Sequence, residues 1–282
     1  FRKYMIDSVT YWAKEYHIDG FRFDLMGIHD IETMNLIREE LDKINPEIIM
    51  YGEGWDLGNV LPQEKEALKV NMKDMNTRIA AFSDDMRDGL KGHVFTADSG
   101  GFVNYNGKWK KGDGNPYTMA ELKELVKSGI VASTKHDGID YSKIYYSSGT
   151  WAKEPTQTVN YVSCHDNNTL WDRIWLSQPD ASEEERIKMD KMANFFVLTS
   201  QGISFIHAGE EMLRTKPSAN FNPEDGITVE DFDENSYKSP DSVNQIVWSR
   251  KSQYKDVVEY YKGLIKLRSE HPAFRIPTAA EI

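Results

Sequence analysis

Gly20-Phe21-Arg22-Phe23-Asp24-Leu25-Met26-Gly27 follows the lead-in Tyr16-His17-Ile18-Asp19 and sets two opposite charges into a run that otherwise reads as a buried β-strand. Residues two apart on a strand share a face, so Arg22 and Asp24 are expected side by side at the strand's C-terminal end. There the guanidinium can hold the carboxylate ionised and aimed. Reactive groups at the C-terminal ends of strands are the arrangement of a (β/α)8 barrel, in which they share one cup.

The flanking sequence supports that architecture. Phe1 to Tyr16 carries Met5, Val9, Trp12 and Tyr16 at helical spacing, with no capping residue before Phe1, so the chain is expected to start inside a helix and to be a fragment of a longer polypeptide. Asp30 reads as the N-cap of a second helix, whose Met34, Ile37, Leu41 and Ile44 form an apolar stripe ended by Asn45-Pro46. Short β-type runs follow at 48–51, 79–82, 159–163 and 203–206. Thr118 and Glu121 make a capping box ahead of Leu122, Leu125 and Val126. A helix over 183–200 places Met189, Met192, Phe196 and Thr199 on one side and stops at Gly202, and Val257, Tyr261, Leu264 and Arg268 mark a last helix before His271-Pro272. Segments at about 89–117 and 215–243 are rich in Gly, Asn, Asp and Pro and read as long surface loops. Strands alternating with helices imply parallel βαβ units, and long loops after several strands favour the barrel over an open doubly wound sheet. The fold class expected is α/β, an incomplete (β/α)8 TIM barrel, with residues 1–282 forming one partial barrel.

Composition narrows the partners. The 282 residues are 39% hydrophobic, enough for a real core, and carry 34 Lys plus Arg against 45 Asp plus Glu, a net charge of −11. That balance argues against nucleic acid or an anionic membrane surface as a partner. Cys164 is the one cysteine, which excludes an intramolecular disulfide and a cysteine metal cluster. No run approaches the roughly 20 apolar residues of a membrane helix, and no basic segment followed by an apolar one opens the chain.

Two further strand ends carry acids. Glu53 lies in Tyr51-Gly52-Glu53-Gly54-Trp55, where the glycines are expected to leave room for a ligand, and Asp166 lies in Ser163-Cys164-His165-Asp166-Asn167-Asn168. Three carboxylates with His165, Trp55 and Trp171 close in sequence suit a site that handles a sugar, carboxylates for chemistry and aromatic faces for the ring. Glycoside hydrolysis with retention needs a nucleophilic carboxylate and a protonated acid roughly 5 to 5.5 Å apart, which neighbouring strand ends can provide. Asp24 beside Arg22 suits the ionised role. Glu53, between glycines and beside an indole, suits the protonated one through poorer solvation. Asp166 would steady positive charge on the sugar or grip its hydroxyls. The same acids can bind a divalent cation in a metal-dependent barrel enzyme, although Arg22 would then compete with the metal. A third reading is a protein that binds glucan without cutting it.

GFRFDLMG, YGEGW and VNYVSCHDNNTLWDR resemble three consecutive conserved regions of the α-amylase clan, in the form found in the type I pullulanases, starch-debranching enzymes. QGISFIHAGEEMLRTK and SYKSPDSVNQIVW extend the resemblance from about Tyr4 to Arg268. It implies that Asp24 is the nucleophile, Glu53 the acid/base, Asp166 the transition-state stabiliser, Arg22 the residue that orients the nucleophile and His165 a sugar ligand, with Met26, Trp55, Asn167 and Tyr237 as further substrate contacts. The substrate implied is an α-1,6-linked glucan such as pullulan, starch or a glycogen-derived chain, with isoamylase-like or α-1,4-acting hydrolysis as the alternative. The family's first conserved region, of Asp-Val-Val-Tyr-Asn-His type, and its Tyr-Asn-Trp-Gly-Tyr-Asp-Pro tag have no counterpart here. The chain is therefore expected to supply strands four to eight of the barrel, to lead at its last few residues into a C-terminal β domain, and to be inactive alone. The chemistry implied needs no cofactor, while a structural calcium is compatible with the family. The acidic runs 183–185 and 231–234 read as solvated faces, and Trp109, Trp151 and Trp248 as packing residues. The resemblance leans towards the extracellular space or cell surface, with the cytoplasm as the alternative.

Overall fold

A computed structural model describes residues 1–58, 61–144, 149–219, 221–222, 224 and 226–282. Helix α1 (Arg2–Tyr16) leads to strand β1 (Gly20–Phe23), α2 (Ile31–Ile44) to β2 (Ile49–Gly52), and β3 (Ile79–Phe82) to α3 (Asp84–Lys91) and α4 (Met119–Ile130). Strand β4 (Thr158–Asn160) is followed by α5 (Leu170–Ser177) and α6 (Glu183–Thr199). Strand β5 (Ile203–Ser204) is followed by the short α7 (Asp241–Asn244) and α8 (Arg250–Gln253) and the long α9 (Lys255–Glu270). The five strands are all parallel, in the order β1-β2-β3-β4-β5, and curl into half of a barrel. Among the described residues, no helix is long and apolar enough to cross a membrane.

Period-two alternation decides which side each strand residue serves. Phe21, Phe23, Met50, Ile79 and Ala81 pack outward on Val9 and Ala13 of α1 and on Met34, Ile37 and Leu41 of α2. Tyr51, Ala80, Phe82 and Val159 point to the concave side, where they join Tyr161, Ile203 and Phe205. The Phe82 ring meets Tyr51 edge-on at 5.5 Å and Phe205 at 5.4 Å, so the bottom of the cup is an aromatic layer. Arg22, opposite Tyr51 in the register, belongs to this inner set.

The helix starts follow capping chemistry. Asp30 accepts from the Thr33 amide at 2.8 Å, and Thr118 and Glu121 form the reciprocal box ahead of α4. Besides strand ends, one helix differs from the sequence reading. Gly89 was expected to open a loop, yet it lies inside α3, which Ser83 caps and which runs to Lys91. A Cβ at Gly89 would stand 3.0 Å from the Leu125 Cβ, so this glycine lets α3 pack closely on α4.

A buried polar knot fixes the last helix. Tyr261 of α9 donates to Asp190 of α6 at 2.8 Å, while Asn194 donates to Glu210 at 3.0 Å and to the Tyr261 oxygen at 2.5 Å. Burial pushes Glu210 up to about 7, and burial together with Glu210 raises Asp190 well above the carboxylate range. A carboxyl whose pKa is higher folded than unfolded contributes stability that is complete below its unfolded value and is lost as pH rises through its folded one. The wild-type unfolding midpoint is therefore expected to fall between pH 4.5 and 7. Glu210→Gln, measured by denaturant titration across that range, should flatten the fall.

Candidate active site

A cleft of about 980 Å3 opens at the C-terminal ends of the strands, lined by Arg22, Glu53, Trp55, His165, Asp166 and Asn167 among others. The three strand-end segments singled out by sequence therefore meet at one hollow, and the segment after β3 adds a fourth.

Arg22 is the centre of the arrangement. Its Nη1 lies 2.5 Å from Asp24 Oδ1 and its Nη2 3.1 Å from Glu53 Oε1, so one guanidinium bridges the acids that follow β1 and β2. The sequence pairs Arg22 with Asp24 alone; the fold adds Glu53 to the same fork. The other Glu53 oxygen accepts the Leu25 amide at 2.9 Å, so this acid is buried yet fully partnered. Asp24 is 72% exposed and stands beside the lined surface, held by Arg22. The guanidinium fills the gap that a cation shared by Asp24 and Glu53 would need.

The glycines around Glu53 do a different task from the one expected. A Cβ at Gly52 would lie 2.7 Å from the Phe23 carbonyl oxygen and from the Met26 Cβ, and one at Gly54 would lie 2.7 Å from the Lys69 amide. Their missing side chains seat the Glu53 turn against backbone, with Gly54 still lining the cleft. Met26 is fully buried in the outer core for the same reason, because it fills the space beneath Gly52, and its side chain does not line the cleft.

Asp166 follows β4, with His165 Nε2 at 3.5 Å from its Oδ2. Tyr237 lies in an adjoining hollow of about 220 Å3 that shares His165 and Asp166 with the main cleft. His207, in the same hollow, is pushed down to about 3 by burial and by the neighbouring Arg214 and Lys216. It is neutral at pH 7, with Nε2 3.0 Å from Arg214 Nη1. Trp171 lies elsewhere: it is part of α5, buried against Leu213 and Tyr254, because the segment after Thr169 is a capped helix and not a continuation of the site loop. Trp109 and Trp151 are buried packing residues as expected, whereas Trp248 is exposed.

Several cleft residues escaped the sequence reading. Asp84, two residues past the end of β3 and first in α3, pairs with Lys69, whose pKa burial would lower but Asp84 and Asp85 raise. Arg87 lies 5.8 Å from the Trp55 ring, donates to the Tyr161 hydroxyl at 2.9 Å and pairs with Asp88 at 2.5 Å. Phe95 is 81% exposed on the cleft rim. Asp84 follows the same strand-then-acid pattern as Asp24 and Asp166 and was legible. Lys69 and Arg87 reach the site only through tertiary folding.

Among the described residues, no group of three or more His, Cys, Asp or Glu is placed to hold a metal ion. In the 231–234 run, Asp231 caps the turn begun by Thr228 and Asp233 accepts from Asn235 and Ser239, so these carboxylates serve local turns.

The family described as "Alpha amylase, catalytic domain" matches residues 1–263. The pullulanase of Bacillus subtilis (strain 168) is 37% identical over 281 residues, covering 100% of this chain and 34% of that protein. Pullulanase 1, chloroplastic, of Arabidopsis thaliana is 31% identical over 309 residues, 95% of this chain and 30% of that protein. A crystal structure of the Paenibacillus barengoltzii pullulanase in complex with maltohexaose and α-cyclodextrin superposes with a TM-score of 0.82 at 46% identity, covering 99% of this chain and 38% of that one. The chain thus spans about a third of the length of these relatives.

The role found for Gly52 is testable without substrate. Gly52→Ala forces a Cβ against the Phe23 carbonyl and should lower stability by about 1 to 3 kcal/mol in denaturant unfolding, the usual range for an overpacked site. Unchanged stability would mean that the glycine leaves open space after all.

Proposed function

Because the chain belongs to the family of alpha-amylase catalytic domains, we propose that it is the later part of the catalytic barrel of a pullulanase-like glycoside hydrolase that cleaves α-1,6-glucosidic links with retention. The observation that carries this reading is the Arg22 fork, which joins Asp24, at the edge of the cleft, to Glu53, in its lining, from two neighbouring strands.

In the proposed reaction an Asp24 carboxylate oxygen attacks the anomeric carbon as the bond to the glycosidic oxygen breaks. Glu53 gives its proton to that oxygen, and the acceptor chain leaves with a free hydroxyl. Protonation of Glu53 removes its charge attraction to Arg22, so in this state the guanidinium serves Asp24 alone. Water then gives a proton to the Glu53 carboxylate while its oxygen attacks the same carbon and frees Asp24. Asp166 faces the positive charge that develops on the sugar. His165 and Asn167 take ring hydroxyls, Trp55 backed by Arg87 offers an apolar face, and Tyr237 meets a sugar in the adjoining hollow. Met26, buried beneath Gly52, takes no substrate contact in this reading. All of these steps use protein side chains and one water molecule.

The substrate class rests on the relatives, which are pullulanases, one of them crystallised with a linear and a cyclic glucan. We place the 282 residues as strands four to eight, and expect them alone to be poorly active, because the outer edges of β1 and β5 would be joined by further strands in a closed barrel.

The test is an assay of the longest natural chain that carries these residues, on pullulan and on linear amylose, beside Asp24→Asn. The expected result is maltotriose from pullulan and loss of activity in the variant by at least about 10⁴-fold. Cleavage of amylose alone would move the specificity to α-1,4 links. Unchanged activity in the variant would remove Asp24 from the chemistry.

A further inference from the structure

Little in the cleft holds the Asp166 carboxylate itself. It is more than half exposed, and among the described residues the His165 imidazole lies 3.5 Å from it. Asn167 follows with φ of 60°, a left-handed turn that asparagine tolerates. The carboxylate therefore lies where the main chain of 165–167 puts it, and the position of that main chain needs its own cause.

The cause is in the next loop. Lys216, only 1% exposed, donates from Nζ to the His165 carbonyl at 3.2 Å and to the Asn167 carbonyl at 2.6 Å, one on either side of Asp166. Hydrogen bonds from an ammonium are roughly twice as strong as neutral ones, and a buried one has no water to exchange with. Lys216 is in turn seated by Asp172, buried in the first turn of α5. One Asp172 oxygen accepts the Lys216 amide at 2.9 Å and the other accepts the Thr215 hydroxyl. The Asp172 amide donates to the capping Thr169 hydroxyl at 3.1 Å, so the carboxylate is fixed by the start of the helix that follows the Asp166 loop. The loop after β5 thus reaches back over the loop after β4 and grips it at two carbonyls.

The geometry points to Lys216, seated by Asp172 and Thr215, as a positioning residue that sets the place of Asp166 in the cleft. The inference rests on the reading that Asp166 faces the developing positive charge, and it adds a residue whose effect on turnover passes through the backbone and not through contact with the reacting atoms. Misplacement by about 1 Å can cost on the order of 100-fold in rate, so two backbone hydrogen bonds are enough to matter.

The test uses the longest natural chain that carries these residues, with Lys216→Met, which keeps the side-chain length and removes both hydrogen bonds. Coulomb's law alone would have removal of a cation favour positive charge at the sugar and raise kcat. Loss of position lowers it. The expected result is a fall in kcat of about 10- to 100-fold with KM changed by less than about threefold. The second readout is calorimetric affinity for a cationic piperidine mimic of glucose, with and without Asp166→Asn. Lys216→Met should weaken that affinity at least about tenfold when Asp166 is present and by less than about twofold when it is replaced. Equal losses in both backgrounds, or an unchanged or raised kcat, would overturn the positioning role while leaving that of Asp166 standing. Affinity indifferent to Asp166→Asn would overturn both. Should Lys216→Met fail to fold, Thr215→Val loosens Asp172 alone and carries the same comparison, with a smaller fall in kcat and in affinity, again confined to the background that retains Asp166.

Discussion

One guanidinium between two carboxylates is the constraint on which the cleft depends. Two unit charges of like sign at ~4 Å repel by about 4 kcal/mol at an effective dielectric of about 20, so acids on adjacent strand ends do not share a hollow without a counter-charge. Arg22 supplies it from the inner face of β1, one residue before the strand ends, with a planar fork that addresses Asp24 with one nitrogen and Glu53 with the other. Lysine, a point charge on a flexible stem, would not reproduce this double contact. The parallel register that sets Arg22 opposite Tyr51 and Phe23 opposite Gly52 brings the two acids within reach of the same fork.

Around that fork the loops are tied to one another more than to the strands. Glu53 is pressed down because Gly52 and Gly54 let the Phe23 and Lys69 backbones approach. Lys69 then carries the link onward to Asp84, and Arg87 joins Trp55 to Tyr161. Lys216 closes the circuit from the loop after β5 to the loop after β4. Beneath them the aromatic layer of Tyr51, Phe82, Tyr161 and Phe205 gives the cleft an apolar floor, and a less polar surrounding strengthens the charge interactions above it.

Much of this was legible in the sequence, for identifiable reasons. β3 lies where its Ile79–Phe82 run puts it, and the α2 and α4 starts follow from Asp30 and from the Thr118–Glu121 box, because these signals are local. β4 was read three residues too long: Tyr161 and Val162 keep the in-out alternation, but β5 pairs over two residues only and the ladder ends at Asn160. The helix α3 was hidden by Gly89, whose packing against Leu125 no single-sequence pattern reveals. At the site, the acids that end strands could be found from strand-then-acid spacing, and Asp84 obeys the same rule. Trp171 was misplaced because closeness in sequence to a strand-end acid says nothing about which side of the backbone a side chain takes, and Met26, which the resemblance implied as a substrate contact, lies buried beneath Gly52. Lys216 is 50 residues along the chain from Asp166, and its grip on that loop exists only once β4 and β5 are paired.

The central claim, that Asp24 forms a covalent bond to the sugar under the control of Arg22, is tested most directly by trapping. A fluorinated α-glucosyl fluoride, whose leaving group departs readily while the fluorine slows turnover of the intermediate, would be incubated with the longest natural chain carrying these residues. The digest would then be mapped by mass spectrometry. The account predicts one fluoroglucosyl adduct on the peptide containing Asp24, reduced in amount by Arg22→Lys. An adduct on Glu53 or Asp166, or hydrolysis of the fluoride with inversion at the anomeric carbon and no adduct, would contradict it.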